Sequence, residues 1–214
     1  MKKAVIFDLD GTLINSLPDI SAAMNRSLAK AGLPGHPEDA YKYKVGNGVI
    51  NLAQRSVGEH TECLDQVLQA YMADYGQNCR VNTYVYRGVS EMLKTLIQKG
   101  FRVCVLTNKD QADAESVLSY YFPGIVFSAI QGRVPDLPLK PAPDGALHIA
   151  KMLQLTSDDI WYVGDTSMDM NCGNAAGMET VGVLWGFRPR KELEASGARH
   201  IIAAPEELLH LAGL

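Results

Sequence analysis

The chain has 214 residues, 47% of them hydrophobic and 21% charged, with a formal net charge of −4. That length and composition suit one globular core, or a core plus a small second domain. A weakly acidic chain has no general field for polyanions, and no apolar run reaches about 18 residues, so neither nucleic acid nor membrane is an expected partner.

In chain order, residues 4–9 (AVIFDL) read as a short buried strand, apolar and rich in branched side chains, with Gly11 at its exit. Pro18 marks a helix start. Ile20, Met24, Leu28 and Ala31 fall on one face of that helix, and Gly32 closes it. From there to about residue 85 the patterns are helical: HPEDAYKYKVG, GVINLAQRSVG and TECLDQVLQAYMADYGQNC, with no convincing strand.

Alternation then resumes. Residues 88–99 predict a helix and RVCVLTN (102–108) a buried strand. DQADAESVLSYYF predicts a helix and IVFSAIQG a strand. GRVPDLPLKPAP is a loop leading to the helix DGALHIAKML. DIWYVGD (159–165) is a strand ending in an acid, MDMNCGNAAG a helix, ETVGVLWG a strand, HIIA a last short strand and PEELLHLAG a closing helix. Such repeats imply an α/β fold, a Rossmann-like parallel sheet with helices on both faces. The helical run set between strand signals predicts a small all-helical insert. The expected division is 1–14 with 86–214 as the core and 15–85 as the helical domain.

Cys63, Cys79, Cys104 and Cys172 are scattered, without a C-x-x-C pair, which favours reduced thiols in a cytoplasmic protein. The basic start, Met1-Lys2-Lys3, is followed by too short an apolar run for a signal peptide.

Ligands of such sheets bind beyond the carboxyl ends of the strands. Polar groups collect at those ends: Asp8 and Asp10, then Thr107 and Asn108, then Asp165 and Asp169, with Lys140 on a loop leading into a helix. Clustered Asp oxygens without a paired His or Cys point to a hard divalent cation, and Mg²⁺ is the natural candidate. The cation would also relieve the repulsion between Asp8 and Asp10. A carboxylate can attack phosphorus, and Asp8 at the strand end is the better held of the two. Asp10, past it on the turning chain, can protonate a departing alkoxide and then activate water; nearby negative charge would favour its neutral form, and Lys140 and the metal would oppose this. Thr107 and Lys140 can bind phosphoryl oxygens. Asp165 would complete the metal site, with Asp169 as a water-mediated or supporting ligand. The five histidines, His36, His60, His148, His200 and His210, are dispersed and read as structural or surface residues.

Taken together, DLDGT, LTN, the Lys of KPAPD and GDTSMD resemble the four motifs of the haloacid dehalogenase superfamily of phosphohydrolases. The resemblance spans nearly the whole chain, with the helical insert falling where that superfamily places its small cap domain. It implies Asp8 as nucleophile and Asp10 as general acid and base, the Asp10 backbone carbonyl also binding Mg²⁺. It implies Gly11, Thr107, Asn108 and Lys140 around the phosphoryl group, and Asp8, Asp10, Asp165 and Asp169 as the metal set. An Asp at position 10 favours a phosphatase or phosphomutase over a dehalogenase.

Further likeness to the phosphoglycolate phosphatase-like branch lies in YKYKVGNGV, YRGVSEMLKTLIQKG and VGVLWGFRPRKELEASGARHII. It implies an Mg-dependent phosphatase acting through an aspartyl-phosphate on a small phosphorylated metabolite, phosphoglycolate first. Lys44, Gly46, Asn47 and Gly48 are then candidate substrate contacts in the cap. Lys44 and Arg55 could meet a substrate carboxylate, although Arg55 reads rather as a solvated charge on a helix-connecting turn, while Trp185 and Arg188 stand at the pocket edge or, for Trp185, in the core. The alternatives are a sugar phosphomutase like beta-phosphoglucomutase, disfavoured by Val49 after Gly48, and a pyrophosphatase or nucleotidase of the same superfamily. Outside catalysis, a receiver-like phospho-acceptor domain uses a similar residue set. A monomer or weak homodimer is expected.

Overall fold

The computed structural model describes residues 2–214. The elements run β1 (Ala4–Phe7), β2 (Ile14–Asn15), α1 (Leu17–Lys30), α2 (Glu38–Tyr41), α3 (Val49–Val57), α4 (Leu64–Asn78) and β3 (Tyr84–Val85). They continue with α5 (Val89–Gln98), β4 (Arg102–Asp110), α6 (Gln111–Tyr121), β5 (Ala129–Arg133), α7 (Asp144–Leu153), β6 (Ile160–Gly164), α8 (Ser167–Ala175), β7 (Glu179–Val183), α9 (Arg190–Ala195), β8 (His200–Ile202) and α10 (Pro205–Leu211).

Six strands form one parallel sheet in the order β5-β4-β1-β6-β7-β8. This is the doubly wound α/β fold the strand–helix alternation predicts. Strand order reverses at β1, which pairs with β4 on one side and β6 on the other, so the crevice beyond its carboxyl end is the place for a ligand.

Side-chain parity then decides what each face carries, because successive residues of a strand point to opposite sides. Val5 and Phe7 of β1, Val103 and Val105 of β4, and Trp161 and Val163 of β6 pack with buried residues of α5, α6 and α10. Ala4 and Ile6, Cys104 and Leu106, and Ile160 and Tyr162 pack with residues of α7 and α8. Asp8 continues the even series of β1, which directs it to the face where α7 and α8 begin.

The chain divides into two compact units, residues 1–14 with 85–214, and 15–84. In the second unit Ile20, Met24 and Leu28 are buried along α1, as the helical face requires, together with Tyr41, Leu52 and Val67; Ala31, expected on that face, is half-buried. The buried Asp19 carboxylate accepts the backbone N–H groups of Val81, Asn82 and Thr83 (2.8–3.0 Å) and the Thr83 hydroxyl (2.8 Å), tying the end of the unit to the first turn of α1. His36 bonds the Ser56 carbonyl through Nε2 (2.8 Å), a structural use of that ring.

Several element limits differ from the sequence reading. The first strand stops at Phe7; the Asp8 N–H still donates to the Val163 carbonyl (2.9 Å), and the chain bends at Leu9. IVFSAIQG forms strand only from Ala129, and ETVGVLWG only to Val183. HPEDAYKYKVG contributes one helical turn, Glu38–Tyr41. Among the described residues, the elements the sequence pattern does not show include the two-residue strands β2 and β3, which pair with each other, and the six-residue helix α9. Among the described residues no helix is long and apolar enough to cross a membrane.

Candidate active site

Parity brings Asp8 to Lys140 and Asp169. The Lys140 ammonium sits 2.7 Å from Asp8 Oδ1 and 2.8 Å from Asp169 Oδ1, and the lysine side chain is 3% exposed. The Leu9 backbone N–H also donates to Asp8 Oδ1 (2.7 Å), so one carboxylate oxygen is fixed from two sides. Lys140 is held by its main chain. Its N–H donates to Asn108 Oδ1 (2.9 Å), and Asn108 Nδ2 donates to its carbonyl (3.1 Å). The Asn108 amide is thus a brace for the lysine loop. Thr107, buried beside it on β4, accepts the Lys109 N–H through Oγ1 (3.2 Å).

Asp169 lies in the first turn of α8. Its Oδ2 accepts the Thr166 backbone N–H (3.0 Å) and hydroxyl (2.7 Å), a capping arrangement that holds the carboxylate while Oδ1 faces Lys140. Asp165, just past β6, is fixed by the Phe187 N–H (2.7 Å) and the Thr12 hydroxyl (3.1 Å). Three glycines make room for this packing. A Cβ on Gly11, Gly164 or Gly186 would fall within 2.3 Å of an Asp165 or Asp169 side-chain atom, and Gly11 also has φ +91°.

Asp8, Asp165 and Asp169 are buried, and one carboxylate oxygen from each lies within 4.8 Å of the others. Burial pushes the Asp8 carboxyl up to about 7, with the Asp169 charge adding to the rise and Lys140 opposing it. Burial, then Asp169 and Asp8, hold Asp165 well above the carboxylate range against the Phe187 and Thr12 bonds. For Lys140 burial works against the charge, and the two neighbouring carboxylates outweigh it, keeping the ammonium above its usual range. Two of the three acids share one ammonium, and burial, with the repulsion among the carboxylates, raises the proton affinity of Asp8 and Asp165. An all-oxygen, buried, electron-rich donor set of this kind fits a hard divalent cation and suits no soft metal.

Asp10 has its own cation. Lys109 Nζ lies 3.0 Å from Asp10 Oδ2. The sequence reading gave that part to Lys140, which is taken up by Asp8 and Asp169. Lys109, Thr12, Phe187 and Gly186 were not singled out from sequence. Only Lys109 carried a signal, its position two residues after Thr107 on the same strand. Trp185 packs at the edge of the core and donates its indole N–H to the Thr12 carbonyl (3.0 Å). Arg188 is paired with Glu192 (3.3 Å).

The remaining candidates, Lys44, Gly46, Asn47 and Gly48, lie in the 15–84 unit on the turn before α3. Lys44 Nζ donates to the Arg55 carbonyl, and the Arg55 guanidinium donates to the Lys44 carbonyl (3.0 Å) and to Asn47 Oδ1 (2.8 Å). Arg55 is exposed, as expected of a solvated charge, and its guanidinium also braces this turn.

The family described as "Haloacid dehalogenase-like hydrolase" matches residues 5–183. The chain is 34% identical over 215 residues to a phosphoglycolate phosphatase of Cereibacter sphaeroides, covering 97% of this chain and 98% of that one. It is 31% identical over 209 residues to a phosphoglycolate phosphatase of Pseudomonas putida, covering 94% and 76%. Among solved structures, a protein of Haemophilus somnus described as a predicted phosphoglycolate phosphatase superposes with a TM-score of 0.92 at 27% identity, over 99% of this chain and 98% of that one. A hydrolase from Pseudomonas syringae does so with a TM-score of 0.76 at 27% identity, over 100% and 99%. With its core motifs gathered at the carboxyl end of β1 and its matched length, the chain belongs to the haloacid dehalogenase-like hydrolase family, among the phosphatases that resemble phosphoglycolate phosphatase.

Proposed function

We propose that this phosphatase hydrolyses phosphoglycolate, using Mg²⁺ and an aspartyl-phosphate formed on Asp8. The observation that carries the reading is the state of Asp8. It is a buried carboxylate at the central strand's end, with Oδ1 fixed by Lys140 and the Leu9 N–H, and with two further acids beside it. Fixing one oxygen aims the other, and orientation of this kind lowers the barrier to attack.

In the first half-reaction Asp8 forms a bond to phosphorus as the ester oxygen departs with its electron pair. Asp10 donates a proton to that oxygen, releasing glycolate. In the second, Asp10 takes a proton from water. The water oxygen bonds to phosphorus, and Asp8 leaves as carboxylate. Lys140 balances charge on the transferring phosphoryl group, and Thr107 donates its hydroxyl to it. Asp8, Asp165, Asp169 and the Asp10 carbonyl are the residues to hold Mg²⁺, which when bound would neutralise phosphoryl charge. Gly11 and Asn108 belong to the phosphate-binding loop ends. The helical segment 15–85 is read as the family's small cap domain, and its turn at Lys44, Gly46, Asn47 and Gly48 as the place to look for substrate selectivity.

The test is a phosphate-release screen across about fifty metabolites with kinetics on the hits. Phosphoglycolate should reach a kcat/KM above roughly 10⁴ M⁻¹s⁻¹, within the usual enzyme range. A far better substrate, or isomerised sugar phosphate in place of free phosphate, would displace it.

A further inference from the structure

The geometry points to Lys109 as a positioning residue for Asp10, its ammonium fixing which carboxylate oxygen carries the proton exchanged in the reaction. The inference rests on the reading of Asp10 as general acid and base. Lys109 Nζ lies 3.0 Å from Asp10 Oδ2, and the lysine side chain is only 8% exposed. Lysines are rarely withdrawn from water unless they are paired.

The end of β4 is built to aim this side chain. Register against β5 shifts between Leu106 and Asp110, an irregularity of the kind that redirects side chains. Both flanks of Lys109 are anchored. Asn108 is bonded to the Lys140 main chain, and Asp110 is ion-paired with Arg133 of β5. Consecutive residues of one strand end therefore act on the two acids separately: Asn108 braces the lysine that holds Asp8, and Lys109 reaches Asp10.

An ammonium donates hydrogen bonds and accepts none. Asp10 Oδ2, facing it, stays an acceptor, and a proton on Asp10 resides on Oδ1. When the bond between phosphorus and the ester oxygen breaks, that proton passes from Oδ1 to the departing oxygen. When water attacks the phosphoryl-Asp8, its proton returns to Oδ1. Without Lys109 the charge that reserves Oδ2 as an acceptor is gone, and the preference for a proton on Oδ1 weakens.

The first chemical step can be isolated by single-turnover kinetics on two esters. Phosphoglycolate has a leaving alkoxide that needs a proton, whereas p-nitrophenyl phosphate releases a stable anion. Lys109→Met should slow this step for phosphoglycolate roughly 10–100-fold, a fraction of the roughly 10²–10⁴-fold that general acid catalysis contributes, with p-nitrophenyl phosphate within about 3-fold of wild type. Saturation constants for both esters should stay within about 2-fold. Lys109→Arg should recover most of the loss. Added to Asp10→Asn, Lys109→Met should cost almost nothing, since residues acting through one another are non-additive. Equal loss on both esters, a shared rise in saturation constant, or full additivity would overturn the role of Lys109 while leaving Asp10 in place. If Asp10→Asn itself showed no difference between the esters, the reading of Asp10 would fall first, and this inference with it.

Discussion

A Cβ on Gly11 would stand 2.3 Å from Asp165 Oδ2, although the two residues are far apart in sequence. Asp165 has little freedom to give way, being bonded to the Phe187 N–H and the Thr12 hydroxyl. The backbone at Gly11 is also left-handed, with φ +91°, a conformation costly for any residue with a Cβ. Gly11→Ala should therefore lower kcat/KM by about 100-fold or more, since a displacement of one ångström at such a site costs that much. Steady-state kinetics on the purified variant checks this, and activity within a few-fold of wild type would show that the acid cluster tolerates the shift.

Removing Lys140 leaves two buried carboxylates without their shared ammonium. Lys140→Met should reduce turnover by about 10²–10³-fold, the usual scale for losing one charge-stabilising group. Breaking one side of a buried ion pair also destabilises by about 3–5 kcal/mol. Urea unfolding measures the second effect, and an unchanged midpoint would mean that the acids relax at no cost.

The same acid cluster gives a metal prediction that does not depend on turnover. Mg²⁺ should raise the thermal midpoint of the wild-type protein and do so much less for Asp165→Asn. A ligand at 100 times its dissociation constant stabilises by about 2.7 kcal/mol. Scanning calorimetry with and without Mg²⁺ reads the shift. Equal shifts in both proteins would place the ion elsewhere.

Within the 15–84 unit, Asp19 joins the start of α1 to residues 81–83. Hydrogen bonds to a charged acceptor contribute about 1.5–3 kcal/mol. Asp19→Ala should cost about 2–3 kcal/mol, seen as a lower urea midpoint, with the core motifs untouched.

Thiol labelling separates the cysteines. Cys104 and Cys172 are buried, and burial pushes their thiols up to about 12 and about 11. Cys63 and Cys79 are half-buried. At pH 8 a disulfide reagent should modify the latter pair in the native protein, and all four only after unfolding, because the thiolate is the reacting form. Rapid native modification at Cys104 would contradict its burial.

Much of this site was legible because apolar runs mark buried parallel strands, and the acids stand where those runs stop. Asp8, Asp165 and Lys140 could be set at strand or loop ends without coordinates. Two-residue strands such as β2 and β3 have no period to read, and α9 spans too few turns to show a face. Lys109 beside Thr107 and Asn108 is not singled out by any motif, and only the irregular end of β4 shows where it is aimed. Thr12, Phe187 and Gly186 act through contacts across the fold, and nothing local distinguishes them.

The central claim, that Asp8 receives the phosphoryl group, is tested most directly by trapping. The enzyme is mixed with phosphoglycolate, quenched within a turnover and reduced with borohydride, which converts an aspartyl-phosphate to homoserine. Peptide mass spectrometry should find homoserine at position 8 in the wild type and none in Asp8→Asn, which should also lose turnover. Unmodified Asp8 in the wild type, or turnover retained by Asp8→Asn, would contradict the account.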